Sequence, residues 1–426
     1  MMKKTCYPQL DEILYTAKLQ NGLSVAVVPR PGFTKKLAYL VTDFGSIHRE
    51  FSLNGKAYTV PAGIAHFLEH KLFDMPGRDI TAEFAALGAV PNAFTGYDMT
   101  AYHFSCTENF YESLSLLLEF VYTPCFTQES VDKEQGIIGQ EIDMNQDAPE
   151  TRIFENLMGS MYENHPVREP ILGTRRSIGT ITPEMLTDCH RAFYRPENML
   201  LCVVGDVDPD KVEAIAQELS PRDNPEVTDV RCWQEDMTVK QPFCSEQMEV
   251  AMPMFQLGFK CEPLGKGEDA IRQEFMGDLA AEALFGESSR LYLKMYQEGL
   301  IDSAFGGGFE TIEGMALLTA SGDSWEPKKV RSSIWEEAAR ISREGIIDAD
   351  FLRMKRSSLG RRIKGLDSFD STCFRVCAYH FSGYDYFRFP EIYESVTARQ
   401  VQEFLQRVVT EERTSLSVIN PIEEVN

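Results

Sequence analysis

Long apolar runs are missing from this sequence of 426 residues. No segment approaches the roughly 20 consecutive apolar residues that a membrane-spanning helix needs, so no membrane is expected among its partners. The first residues, MMKKTCYPQLDEILYTAKLQ, carry two lysines with no apolar stretch behind them. They do not read as a secretion signal, and the expected location is the cytoplasm. Basic charge is short as well: 42 lysines and arginines face 65 aspartates and glutamates, a formal charge of −23. That balance works against nucleic acid or an anionic membrane surface and favours neutral or basic ligands. Ten cysteines are scattered, and Cys373 and Cys377 could share a helix face but have no second ligand pair near them in sequence. Reduced thiols are the expectation, with no metal at those two. Histidine is scarce, seven in all, yet His66 and His70 stand four residues apart in PAGIAHFLEHKLF with Glu69 beside the second.

With 43% hydrophobic residues, the chain is long enough for two domains with separate cores. GLSVAVVPRP and KLAYLVTDFGS read as strands around a Pro-Gly turn, AGIAHFLEHKLF as a helix entered through Pro61 and Gly63, and DITAEFAALG as a second helix. AVPNAFTGYDMTAYHFSCT has the β-branched and aromatic content of two strands, and NFYESLSLLLEFVYTP follows as an amphipathic helix capped by Asn109. A long helix, a break at Asp147 to Pro149 and another helix come next, then the strand NMLLCVVGDV. The second half repeats this order: strand, helices, two strands, helices, and a last strand at RTSLSVI. VDKEQGIIGQEI laid over LRMKRSSLGRRI matches Gly139 with Gly360 and Ile142 with Ile363, so the repeat rests mainly on element order. The expected fold is α+β, two similar domains that each pack helices on a mostly antiparallel sheet. The expected boundaries are 1–225, a linker at 226–240 and 241–426.

On a helix, positions i and i+4 lie on one face and i+3 beside them. His66 and His70 can therefore offer imidazole nitrogens to one ion, with Glu69 near enough to act on water there. Neutral imidazoles suit zinc, which in catalytic sites takes three protein ligands and keeps a position for water. Such an ion acidifies water and polarises a carbonyl, while a carboxylate moves the proton to a leaving amine. By residue frequencies alone a chance His-x-x-Glu-His arises in about one such chain in a hundred, so the motif needs a third ligand. The helix VDKEQGIIGQEIDM offers Glu134 and Glu141, two turns apart on one face, with Ile137, Ile138 and Ile142 at core spacing. Glu141 is the candidate ligand, and Glu134 is a carboxylate that could orient a histidine. The alternative is an acidic helix with two ordinary histidines and solvated glutamates.

Together GIAHFLEHKLF, PNAFTGYDMTAYHFSC, EQGIIGQEI and HPVREPILGTRRSI resemble the inverted-zincin peptidases of family M16, which include pitrilysin, insulin-degrading enzyme and mitochondrial processing peptidase. The resemblance covers nearly the whole chain and implies half of a clamshell, built from two homologous α+β domains. It implies one Zn2+ per chain, held by His66, His70 and Glu141, with Glu69 as general base and Glu134 in support. The span from His70 to Glu141 is slightly short of the usual family spacing, a difference that a shorter loop between Ala86 and Pro91 would absorb. It also implies an edge strand near the metal, on which a peptide substrate lies as an added strand against Asn92, Ala93, Phe94 and Thr95. Ordinary strand packing is the competing explanation for the Phe94 and Thr95 side chains.

The chain departs from the family in its second half, where an arginine followed seven residues later by a tyrosine reaches the substrate. Once one residue is taken as deleted, Tyr296 and Asp302 stand at those places in SSRLYLKMYQEGLIDSAF. The resemblance then implies a heterodimer with a paralogous M16-type subunit that supplies the Arg/Tyr pair, enclosing a chamber that admits short or unfolded peptides. The rival reading is a non-catalytic assembly subunit on the same fold, which the retained zinc residues disfavour. A metal-dependent hydrolase of some other substrate is a third, which the edge strand disfavours.

Overall fold

A computed structural model describes residues 2–228 and 233–422, so part of the expected linker at 226–240 lies outside the described residues. Four strands open the chain: β1 (Lys3–Tyr7), β2 (Glu12–Lys18), β3 (Ser24–Pro29) and β4 (Lys36–Thr42). A short hairpin follows, β5 (Glu50–Leu53) and β6 (Lys56–Thr59), and then helix α1 (Ile64–Phe73). The two-residue strands β7 (Asp74–Met75) and β8 (Arg78–Asp79) lead into α2 (Ile80–Ala86), and β9 (Ala89–Thr95) and β10 (Thr100–Cys106) follow. Next come α3 (Phe110–Tyr122), α4 (Gln128–Gln146), α5 (Pro149–Met161), α6 (Arg175–Ile178), α7 (Pro183–Phe193), β11 (Met199–Gly205), α8 (Pro209–Leu219) and β12 (Val227–Thr228). The second half carries β13 (Phe243–Met248), β14 (Met254–Cys261), α9 (Gly267–Phe285), α10 (Arg290–Gln297), β15 (Gly306–Ile312) and β16 (Met315–Asp323). It ends with α11 (Pro327–Glu344), α12 (Asp348–Lys364), α13 (Phe369–Phe381), α14 (Phe389–Ser395), α15 (Ala398–Val408) and β17 (Thr414–Pro421).

The chain forms two compact units, one from Met1–Ile142, Pro170–Arg231 and Ile363–Arg388, the other from Asp143–Glu169, Cys232–Arg362 and Phe389–Asn426. Thus α5 belongs to the second unit and α13 to the first. The first unit has a seven-stranded sheet in the order β1-β2-β3-β11-β4-β10-β9. The second has five strands in the order β13-β17-β14-β16-β15. In each, one parallel pair, β3 with β11 or β13 with β17, is followed by three antiparallel pairs. The five strands from β3 to β9 thus repeat as the five from β13 to β15, and β1 and β2 extend only the first sheet.

In the first unit, every residue of β11 is buried, as expected for a strand covered on both faces. Met199, Leu201 and Val203 join a core with Ile64, Phe67 and Leu68 of α1 and Leu114 and Leu117 of α3. The opposite face meets α13, where the Cys373 thiol lies 3.7 Å from the Cys202 carbonyl oxygen. Local signals behave mostly as the chemistry requires. Asp79 caps α2 by accepting from the Ala82 amide at 2.9 Å. Asn109 precedes α3 but does not cap it: its amide nitrogen donates instead to the Leu87 carbonyl at 3.0 Å. Among the described residues, no helix is long and apolar enough to cross a membrane.

Candidate metal centre

Helix α1 starts without a polar cap. Gly63 occupies the capping position at φ +93°, a left-handed conformation that glycine adopts at little cost. A Cβ there would come within 2.4 Å of the Leu172 carbonyl oxygen, and a Cβ on Gly173 within 2.4 Å of the Ala62 carbonyl oxygen. The Ser177 hydroxyl donates to that same Ala62 carbonyl at 2.8 Å. The stretch ILGTRRSI therefore presses against the start of α1 and sets where the helix points. Ile64, Ala65, Phe67, Leu68 and Leu72 anchor it in the core.

This anchoring leaves His66, Glu69 and His70 on one side. His66 Nε2 lies 3.7 Å from one oxygen of Glu141 on α4, and His70 Nε2 lies 3.7 Å from the other. Those distances exceed a hydrogen bond. They are close to the roughly 3.4 Å that separates two donors on one tetrahedral ion with 2.0–2.1 Å bonds. The three donor atoms lie within 4.8 Å of one another. His66 Nδ1 is buried without a hydrogen-bond partner, and His70 Nδ1 lies 3.0 Å from Glu134 Oε1. The donor set fits a zinc-like cation.

Burial sets the electrostatics of these side chains. Burial, with His70 beside it, drives the His66 imidazole down to about 3, so at neutral pH it carries a free lone pair. Burial alone would lower His70, but the hydrogen bond and charge of Glu134, with Glu69 and Glu141 nearby, carry it above its ordinary value. Burial raises Glu69 above the usual carboxylate range, against the pull of the Thr95 hydroxyl and His70. Thr95 donates to Glu69 Oε2 at 2.6 Å and ties that carboxylate to β9. Lys71, whose side chain is fully buried, pairs with Asp74, lies 3.9 Å from Glu134 Oε2 and donates to the Ser130 carbonyl at 3.4 Å.

All five residues expected around the ion, His66, Glu69, His70, Glu134 and Glu141, are brought together. Asn92, Ala93, Phe94 and Thr95 lie on β9, the last strand of the sheet, which among the described residues pairs only with β10. Sequence reasoning missed two contributors: Lys71, which no spacing rule marks, and the hydroxyl of Thr95, expected only as a backbone contact. In the second unit, α9 takes the place of α1 in the strand order, and α12 that of α4. There Arg362 sits 2.7 Å from Asp278 and 3.2 Å from Glu274, with its guanidinium 4.4 Å from the Phe275 ring centroid. A buried cationic side chain of α12 thus pairs with two carboxylates four residues apart on α9.

Two imidazoles and a carboxylate converge from two helices, with another carboxylate held alongside. Residues 41–175 match the family described as Insulinase (Peptidase family M16), and residues 180–358 the one described as Peptidase M16 inactive domain. Over 99% of its length the chain is 36% identical to the whole of YmfH of Bacillus subtilis, described as an uncharacterized zinc protease. It is 24% identical over 83% of its length to YmxG of the same organism, covering 84% of that protein, which has the same description. A crystal structure of an M16-like peptidase from Alicyclobacillus acidocaldarius superimposes with a TM-score of 0.93 at 31% identity, covering 96% of this chain and 99% of that one. The chain belongs to peptidase family M16.

Proposed function

We propose that this chain is a zinc-dependent endopeptidase that cleaves short or unfolded peptides, and that it is the metal-bearing member of a heterodimer. The observation that carries the reading is the convergence of His66, His70 and Glu141 within 4.8 Å, beside a Glu69 carboxylate held by the edge strand. These three side chains hold the ion, and Glu134 fixes the His70 tautomer by accepting its Nδ1 proton, which leaves Nε2 free to ligate. When bound there, zinc would lower the pKa of water and polarise a scissile carbonyl. Glu69 would accept a proton there and return it to the leaving amine. Its raised proton affinity suits both transfers, because a base matched to the working pH must also give the proton back. The backbone of Asn92 to Thr95 on β9 receives the peptide as an additional antiparallel strand, and Thr95 ties that strand to the base.

The pairing follows from the residues at the family's substrate-clamping positions. Tyr296 is exposed on α10, stacked 5.9 Å from Tyr292, and the Asp302 carboxylate accepts from the Ala304 amide at 2.8 Å. Neither is a cationic donor to a developing oxyanion, and loss of one such donor typically costs about 2.7–4 kcal/mol of transition-state stabilisation. A paralogous subunit with the Arg/Tyr pair would restore it and close a chamber around the peptide.

The test is Glu69→Gln. The variant is expected to bind zinc as the wild type does and to lose cleavage of a peptide library. Unchanged turnover removes Glu69 as base, and a wild-type chain that binds no zinc removes the peptidase reading in favour of an assembly role.

A further inference from the structure

The first unit contains a second concave site, at the opposite edge of its sheet from β9. A cleft of about 570 Å³ opens beside β1, β2 and β3, against the C-terminal half of α13 and the turn that follows it. That volume lies in the range of pockets that enclose small molecules. Leu14, Ala26, Leu200 and Val376 make an aliphatic floor, and Tyr384 and Phe387 make an aromatic wall. These residues are buried, so the floor is part of the packed unit.

The mouth has the opposite character. Lys3 and Lys18 are both exposed there, with His380 beside Lys18. Among the described residues neither lysine is in an ion pair, although acidic residues outnumber basic ones 65 to 42 in the chain. Asp385 is the one acidic residue lining the cleft, and its carboxylate is engaged by the Tyr7 hydroxyl and by the Phe387 amide at 3.2 Å. Two uncompensated ammonium groups over an apolar floor fit a ligand with a negative head and an apolar body. A carboxylate gains charge-assisted hydrogen bonds there, and its tail leaves water.

We propose that this cleft binds a small amphipathic monocarboxylate, with its apolar chain on the Leu14–Ala26–Leu200–Val376 floor and its carboxylate between Lys3 and Lys18. The site shares no residue with the histidine cluster and needs no metal, so it stands or falls separately from the peptidase reading.

Calorimetric titration of the full-length chain, in chelator, with decanoate well below its micelle-forming concentration tests it. Saturable one-to-one binding is expected, with decanol binding at least about tenfold more weakly because it lacks the charge. The double variant Lys3→Glu and Lys18→Glu, at exposed positions, is expected to weaken decanoate by at least about tenfold with the melting temperature unchanged. Thr16→Trp, at a half-buried position lining the cleft, should abolish binding by filling it. Absence of saturable binding overturns the proposal. So does equal affinity for decanol, or decanoate affinity that survives both the charge reversal and Thr16→Trp.

Discussion

At the scale of single residues, the centre depends on side chains that pair for reasons of burial. His66 is driven neutral because burial strips water from its charged form and His70 stands beside it. Glu134 has a different task, since its carboxylate sits between His70 and the buried Lys71 ammonium. Glu134→Gln keeps the shape but removes the charge that favours a proton on His70 Nδ1. Zinc affinity is expected to fall about 10- to 100-fold, measured by chelator competition. An unchanged affinity would mean that the backing carboxylate does not orient the ligand. Thr95 acts on the base: Thr95→Val leaves the buried Glu69 carboxylate short of one donor, which raises its proton affinity further. The expected result is a pH–rate profile whose acidic limb moves to higher pH while zinc content stays at one per chain; an acidic limb at the wild-type pH would remove Thr95 from control of the base.

At the scale of elements, α1 is a short helix whose direction is set at its first turn. Gly63 carries a positive φ and abuts the Leu172 carbonyl, so Gly63→Ala introduces both backbone strain and a close contact. A loss of about 1–3 kcal/mol in urea unfolding is expected, together with weaker zinc binding as α1 tilts away from α4. A variant of wild-type stability and zinc affinity would show that the loop from Leu172 to Ser177 does not align the helix. Most of these elements are legible in the sequence. The continuous apolar runs of β3, β4 and β11 and the periodicity of α4 come from burial that local pattern reports directly. Strands β1 and β2 were not, because their half-exposed residues carry no continuous apolar run. Nor was the contact between Cys202 and Cys373, which lie 171 residues apart, since spacing rules see only neighbours.

At the scale of the whole molecule, the histidines set an acid limit. Burial holds His103 and His165 below their ordinary value and His190 down at about 4, the last with its ring nitrogen 2.9 Å from the Val121 carbonyl. Below about pH 6.5 the unfolded chain takes up protons at these positions that the folded chain refuses, so stability falls as pH falls. His190 alone accounts for up to about 3 kcal/mol between pH 6.5 and 4. His70, raised by Glu134, works in the opposite sense, but it is one histidine against five once His66 and His380, both also lowered by burial, are added. In chelator, the urea midpoint at pH 5.5 is expected below that at pH 7.5, and a midpoint that holds or rises would contradict this. The proposed pairing makes a separate prediction: the purified chain cleaves slowly alone, and a metal-less paralogue with the Arg/Tyr pair raises its turnover. A rate indifferent to that addition would remove the heterodimer.

The sequence by itself supplied the candidate donors. An i, i+4 pair on one helix and an i, i+7 pair on another are consequences of helical geometry, so His66, His70, Glu134 and Glu141 could be named from spacing. It also determined the repeat, because element order survives when identities do not. Only the tertiary structure decided that Thr95 holds the Glu69 carboxylate, that Lys71 stands behind Glu134, and that Arg362 pairs with Glu274 and Asp278 in the second unit. Each of those contacts joins elements whose separation along the chain carries no period, and packing of the two helices against the sheet is what brings them together.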